Sequence, residues 1–187
     1  IAVGGTSGKS TVSAMIFDTL EFAGMEPSII SGAGLTSIIR EGKIGNAKVG
    51  KGEWLVIEAD ESDGSIVQYH PEIGLLLNID KDHQEIDELM EIFGIFKQHT
   101  KSRFITNQSN KLAAQLSANL AHDFASSPSE KAGYVGSDFS QNGFEISFTI
   151  NGKPFKMNAI GKHSMENALA TTAVCHQLGV SLETIAA

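Results

Sequence analysis

The residues best equipped for chemistry come near the start of the chain. Gly4-Gly5-Thr6-Ser7-Gly8-Lys9-Ser10-Thr11 sets glycines, hydroxyls and one lysine between an apolar run, Ile1-Ala2-Val3, and a stretch with helical spacing. Glycines let successive backbone N–H groups turn inward onto an anion, and the positive end of the following helix adds to their attraction. In such a loop Gly5, Thr6, Ser7, Gly8 and Thr11 would cradle a polyphosphate. Lys9 would reach its β- and γ-phosphates, and the Ser10 hydroxyl would ligate Mg2+. The eight-residue form of this motif has a glycine where Val3 stands, so the match is incomplete, and a glycine-rich turn is the bland alternative. A dinucleotide fingerprint fits less well, because no Gly-x-Gly-x-x-Gly occurs.

Two further clusters follow apolar runs. Trp54-Leu55-Val56-Ile57 leads into Glu58-Ala59-Asp60-Glu61-Ser62-Asp63, which holds four carboxylates in six residues. Hard oxygen ligands at a strand's carboxyl end suit Mg2+, and Glu58, first after the apolar run, is the best-placed ligand; the alternative is a solvated acidic turn. Ile73 to Ile79 leads likewise into Asp80-Lys81-Asp82-His83. His83 draws interest because its strand end should converge with the other two, whereas His70, His99, His122 and His176 have no such setting.

These clusters need strands to carry them. Thr11 to Ala23 reads as a helix with Met15, Ile16, Phe17, Leu20 and Phe22 on its apolar side, and Pro27 to Ser31 as a strand. A helix is predicted over about Ile86 to Thr100, a strand over Arg103 to Thr106, and a helix over Asn110 to Leu120. The alternation of apolar strands with helices predicts the α/β class, a P-loop three-layer arrangement with a mostly parallel sheet flanked by helices. The pattern changes near Tyr134. Phe144, Ile146, Phe148 and Ile150 alternate with polar residues, Asn151-Gly152 signals a hairpin, and Lys153 to Ile160 supplies the return strand, with Pro154 pointing to an edge. A small antiparallel sheet is therefore expected around 134–160. Met165 to Leu178 reads as a last helix, with Met165, Ala168, Leu169, Thr172 and Cys175 inward.

The 187 residues suit one domain with a substantial core. A net charge of -8 argues against a general nucleic-acid binder, and no apolar run reaches the length of a membrane span. The lone Cys175 rules out an internal disulfide framework and makes a reducing, intracellular setting the default. The abrupt start inside a strand is read as a domain taken from a longer chain.

Together the clusters resemble the central ATPase domain of the Mur ligases, which build the peptide of bacterial cell-wall precursors. The resemblance spans essentially the whole chain, 1–187. It is carried by Gly5-Thr6-Ser7-Gly8-Lys9-Ser10-Thr11, Gly32-Ala33-Gly34-Leu35, Asn46-Ala47 with Gly50-Lys51-Gly52-Glu53, the Glu58-to-Ser65 string, Asn78 to His83, and Gly161-Lys162-His163-Ser164-Met165-Glu166-Asn167-Ala168. The Glu-Ala-Asp-Glu-Ser-Asp string discriminates best, and it is most similar to the branch that joins L-alanine to UDP-N-acetylmuramate. The resemblance implies that Lys9 holds the ATP phosphates, that Ser10 and Glu58 bind Mg2+, and that His83 helps to place a second Mg2+. It also implies that Asn167, with His163 nearby, contacts the adenine side. It further implies a cytoplasmic bacterial enzyme whose UDP-sugar and amino acid are held mainly by domains outside this segment. Ser7 and Ser10 stand where that branch usually has histidine and threonine, His163-Ser164 where histidine–asparagine is usual, and Gln84-Glu85-Ile86 where Met-Asp is usual. Lys97 lies near the place where many relatives carry a carbamylated lysine, a role not assigned here because this branch does not generally use one.

Two competing readings remain at this level. The same module could serve another amide ligase, such as a murein tripeptide ligase or a folylpolyglutamate or cyanophycin synthetase. From another class, the chain could be a nucleotide-dependent switch, but the base-reading Asn-Lys-x-Asp string is missing: Asn110-Lys111 is followed by Leu112-Ala113.

Overall fold

The computed structural model describes residues 1–40, 42, 44–80 and 85–187. Among them the elements run β1 (Ala2–Gly4), α1 (Lys9–Phe22), β2 (Ser28–Ile30), α2 (Thr36–Ile39), β3 (Ala47–Lys48), β4 (Leu55–Glu58), β5 (Ile73–Leu76), α3 (Ile86–His99) and β6 (Arg103–Thr106). Then come β7 (Phe124–Ala125), β8 (Tyr134–Asn142), β9 (Glu145–Ile150), β10 (Lys153–Met157), α4 (Lys162–Gln177) and α5 (Leu182–Ile185).

The main sheet has the order β3-β2-β4-β1-β5-β6, parallel except for β3, which runs antiparallel along β2. Its central strands are apolar because both faces are covered. β1 and β5 are buried throughout. One face packs on Val12, Ile16, Phe17 and Leu20 of α1, and the other on Leu89, Phe93 and Phe96 of α3. β1 sits where the chain order reverses, with β4 on one side and β5 on the other, so the segments that follow these three strands emerge side by side.

The second sheet, β10-β9-β8-β7, is antiparallel apart from the β7–β8 pair. Asn151 and Gly152 have φ of 49° and 79°, the left-handed pair that a two-residue hairpin turn requires. Pro154 lies on the edge strand β10, where its missing N–H costs no ladder bond. A single bridge, Asn107 to Phe124, links the end of β6 to β7 among the described residues. α4 completes the connection by packing on α1 and on β8, and it buries Met165, Ala168, Leu169, Thr172 and Cys175 as its spacing predicts.

Four expectations need correction. Phe22 is 70% exposed and Phe144 83% exposed; one turns outward from the last turn of α1 and the other sits in the turn before β9. The helix expected over Asn110 to Leu120 is only a 3-10 turn at Ala113–Leu116. Polar side chains there take over the backbone's role: Asn110 accepts from the Ala113 and Ile79 N–H groups, Asn119 from that of Ala121, and Ser117 donates to Asp123. Such local bonds compete with a helical ladder. The strand expected to reach Ile79 stops at Leu76, and the residues beyond it bend toward the glycine loop.

Candidate nucleotide and metal site

The loop between β1 and α1 is shaped by backbone that only glycine tolerates. Gly5 has φ 141°, and a side chain there would stand 3.0 Å from Leu77 Cβ; Gly8 has φ 85° and closes the loop at the start of the helix. α1 begins with no side-chain cap and no acidic residue in its first turn, so its leading N–H groups remain available to an anion.

Asn78, just past β5, pins the loop. Its Oδ1 accepts from Thr6 Oγ1 and from the Ser7 N–H, both at 2.9 Å, while its Nδ2 donates to Ser7 O at 3.1 Å. Thr6 Oγ1 also accepts from the Asp80 N–H at 3.1 Å. The apolar run Ile73 to Ile79, which contains Asn78, marked a strand end in the sequence, but not this clamp.

Behind the loop lie two carboxylates. Lys9 Nζ donates to Gly5 O and to Glu61 Oε2, each at 2.8 Å, with the lysine and glutamate side chains only 16% and 10% exposed. Ser10 Oγ donates to Glu58 Oε2 at 2.8 Å. The other oxygen of Glu58 accepts from Ser31 Oγ and from the Gly32 N–H at 2.8 Å, so the segment after β2 holds it in place. The acidic run thus divides in two. Glu58 and Glu61 face the loop, whereas Asp60 and Asp63 accept the N–H groups of Ser62 and Ser65 and shape their own turn. The Ser65 N–H holds the Asp63 carboxyl below the usual carboxylate range. Neither Ser31 nor Glu61 was singled out by spacing, because their partners lie 27 and 52 residues away.

A cleft of about 390 Å³ opens between the loop and the first turns of α4. Ser7, Gly8, Thr11 and Asn78 form its loop end, and His163 and Asn167 its α4 wall. A side chain at Gly8 would reach within 3.2 Å of Asn167 Oδ1, so helix and loop are in close apposition. Leu77, Asp80, Asn107, Ser109, Asn110, Phe124 and Glu166 complete the lining, and of these Asn107, Ser109, Phe124 and Glu166 were not anticipated from the sequence. The structure therefore brings Gly5 to Thr11, Glu58, His163 and Asn167 to one edge of the sheet. His83 lies outside the described residues. Lys97, on α3, donates to Ser117 O at 3.1 Å.

The parallel sheet, its reversal point and the glycine loop define an α/β domain of the phosphate-loop kind. More narrowly, the chain belongs to the Mur ligase middle domain family, whose match runs over residues 3–175. It is 33% identical to a UDP-N-acetylmuramate–L-alanine ligase of Nostoc punctiforme over 100% of this chain and 39% of that protein. With the enzyme of the same description from Geobacter sp. (strain M21) it shares 34% identity over 99% of this chain and 42% of that protein. Among solved structures it superposes on the UDP-N-acetylmuramate–alanine ligase of Thermotoga maritima with a TM-score of 0.84 at 26% identity, covering 100% of this chain and 43% of that one. A UDP-N-acetylmuramate:L-alanyl-γ-D-glutamyl-meso-diaminopimelate ligase of Neisseria meningitides shares the fold, with a TM-score of 0.79 at 21% identity over 100% of this chain and 63% of that one. The chain thus spans well under half the length of the curated relatives it matches.

Proposed function

We propose that this chain is the ATP-binding segment of a cytoplasmic bacterial amide ligase that joins L-alanine to UDP-N-acetylmuramate for peptidoglycan synthesis. The carrying observation is the convergence of Lys9, Ser10 and Glu58 on one loop, in a chain about a third identical to ligases of that description. No nucleic acid or membrane takes part in this reading.

Ser10 Oγ and Glu58 Oε2 stand 2.8 Å apart. Adjacent ligands in the octahedral shell of Mg2+, each at 2.0–2.1 Å from the metal, lie about 2.9 Å apart, so this pair of hard oxygens fits the ion. Magnesium bound there would offset phosphate charge. His83 is the residue we assign to a second magnesium, on the resemblance alone.

The chain's own part is positioning and charge. The free N–H groups from Gly8 to Thr11 hold the triphosphate, and Lys9 exchanges its bonds to Gly5 O and Glu61 for phosphate oxygens. His163 and Asn167 face the nucleoside across the cleft. The carboxylate of UDP-N-acetylmuramate attacks the γ-phosphorus, ADP leaves, and the resulting acyl phosphate is opened by the amine of L-alanine with release of phosphate and a proton. Two anions must meet in the first step, which is why the loop's positive groups count for most of the acceleration.

Phosphate release from ATP by the intact enzyme, dependent on both UDP-N-acetylmuramate and L-alanine, tests the reading. Lys9→Ala should lower turnover by about two to three orders of magnitude. Near-normal turnover in that variant removes Lys9 from the mechanism, and release triggered by a folate in place of the UDP-sugar overturns the substrate assignment.

A further inference from the structure

The cleft between loop and α4 is chemically lopsided. Among the described residues no lysine or arginine lines it, and away from the loop it carries Phe124, Asn107, Ser109 and the carboxylate of Glu166. That end is built for a flat, uncharged group that offers N–H donors, not for phosphate.

Glu166 is held in a fixed direction. Its Oε1 accepts from Ser126 Oγ at 2.9 Å. Ser126 is itself tied to Ser109, whose hydroxyl oxygen accepts the Ser126 N–H at 2.8 Å and lies 3.1 Å from Ser126 Oγ. Ser109 in turn donates its proton to Glu130. This hydroxyl chain leaves one Glu166 oxygen engaged, and its second oxygen accepts from no group among the described residues. A carboxylate with one oxygen committed is suited to a single donor. Guanine offers two parallel donors, N1–H and the 2-amino group, and would need both oxygens; adenine offers one exocyclic amine.

Resting on the reading of this chain as an ATP-binding domain, we infer that Glu166 selects the base: it accepts one N–H of the adenine 6-amino group and repels a base with a carbonyl at that position. His163 lies one helical turn before Asn167 on the same wall, so α4 presents the base-reading group beside residues that face the nucleoside.

The test is equilibrium binding of ATP, inosine triphosphate and 2′-deoxy-ATP to the purified protein. Inosine carries a carbonyl where adenine carries the amine. The wild type should prefer ATP to inosine triphosphate by about tenfold or more, the worth of one hydrogen bond to a charged group. Glu166→Gln keeps the shape and the Ser126 bond but can donate to a carbonyl, so the preference should narrow to about threefold or less. The ratio of ATP to 2′-deoxy-ATP should not change. Ser126→Ala, which frees the carboxylate without removing it, should also erode the preference and serves if Glu166→Gln does not fold. An undiminished preference for ATP in both variants overturns the assignment, as does a change confined to 2′-deoxy-ATP, which would make Glu166 a ribose contact. Absence of ATP binding in the wild type would instead overturn the nucleotide reading itself.

Discussion

Glu58 accepts three hydrogen bonds from two segments at once: one from Ser10 on α1, and two from the Ser31 hydroxyl and the Gly32 backbone just after β2. Glu58→Ala leaves the Ser31 hydroxyl, in a residue only 6% exposed, without its acceptor and takes away the proposed metal's anionic ligand. We expect magnesium-supported ATP binding to weaken by at least about tenfold, read by titrating magnesium at fixed nucleotide. An unaltered magnesium dependence would exclude Glu58 as a ligand. Lys9 and Ser10 were legible in the sequence from the glycine-loop motif and Glu58 from its place at the end of an apolar run, and the parallel α/β order brings such strand ends together. Ser31, Glu61, Ser109 and Glu166 were not, since their partners are distant in sequence and leave no local spacing to read. Asn78 stood at a recognisable strand end, yet its role as the loop's clamp depends on a side-chain amide that can both donate and accept.

At the scale of elements, the segment between β6 and β7 shows where reading by periodicity fails. Its apolar spacing is helical, but its asparagines and serines bond to the nearby backbone and to Asp123. Asp123 is fully buried, and its carboxylate accepts from the Thr106 N–H, Gln108 Nε2 and Ser117 Oγ. Asp123→Ala should therefore cost about 3 kcal/mol through several stranded donors, seen as a lower denaturation midpoint with an unchanged slope. A loss under about 0.5 kcal/mol, typical of a surface site, would contradict this account. α4 gives the opposite lesson, because its inward spacing was read correctly throughout. Burial pushes the Cys175 thiol up to about 12, and a raised value for an acid means that the neutral form prevails in the folded state. Maleimide should label Cys175 slowly at pH 8 in the native protein and rapidly in denaturant. Fast native labelling would show that α4 opens.

For the whole molecule, the three-layer α/β body and the small sheet both followed from the order of apolar runs and from Asn151-Gly152. Their connection did not, because α4 meets both bodies through packing that no local pattern encodes. The core formed by α1, α4 and the small sheet is continuous: Val12, Ile16 and Phe17 belong to the same apolar cluster as Ile146, Phe148 and Phe155. The backbone seam among the described residues, by contrast, is one rung, Asn107 to Phe124, and both residues line the cleft. A nucleotide seated from Gly8 to Phe124 would therefore act as a rivet between two plates. Saturating it should raise the melting temperature by mass action and sharpen the transition. The largest gain in amide-exchange protection should fall on the residues flanking the rung, not on the already buried strands.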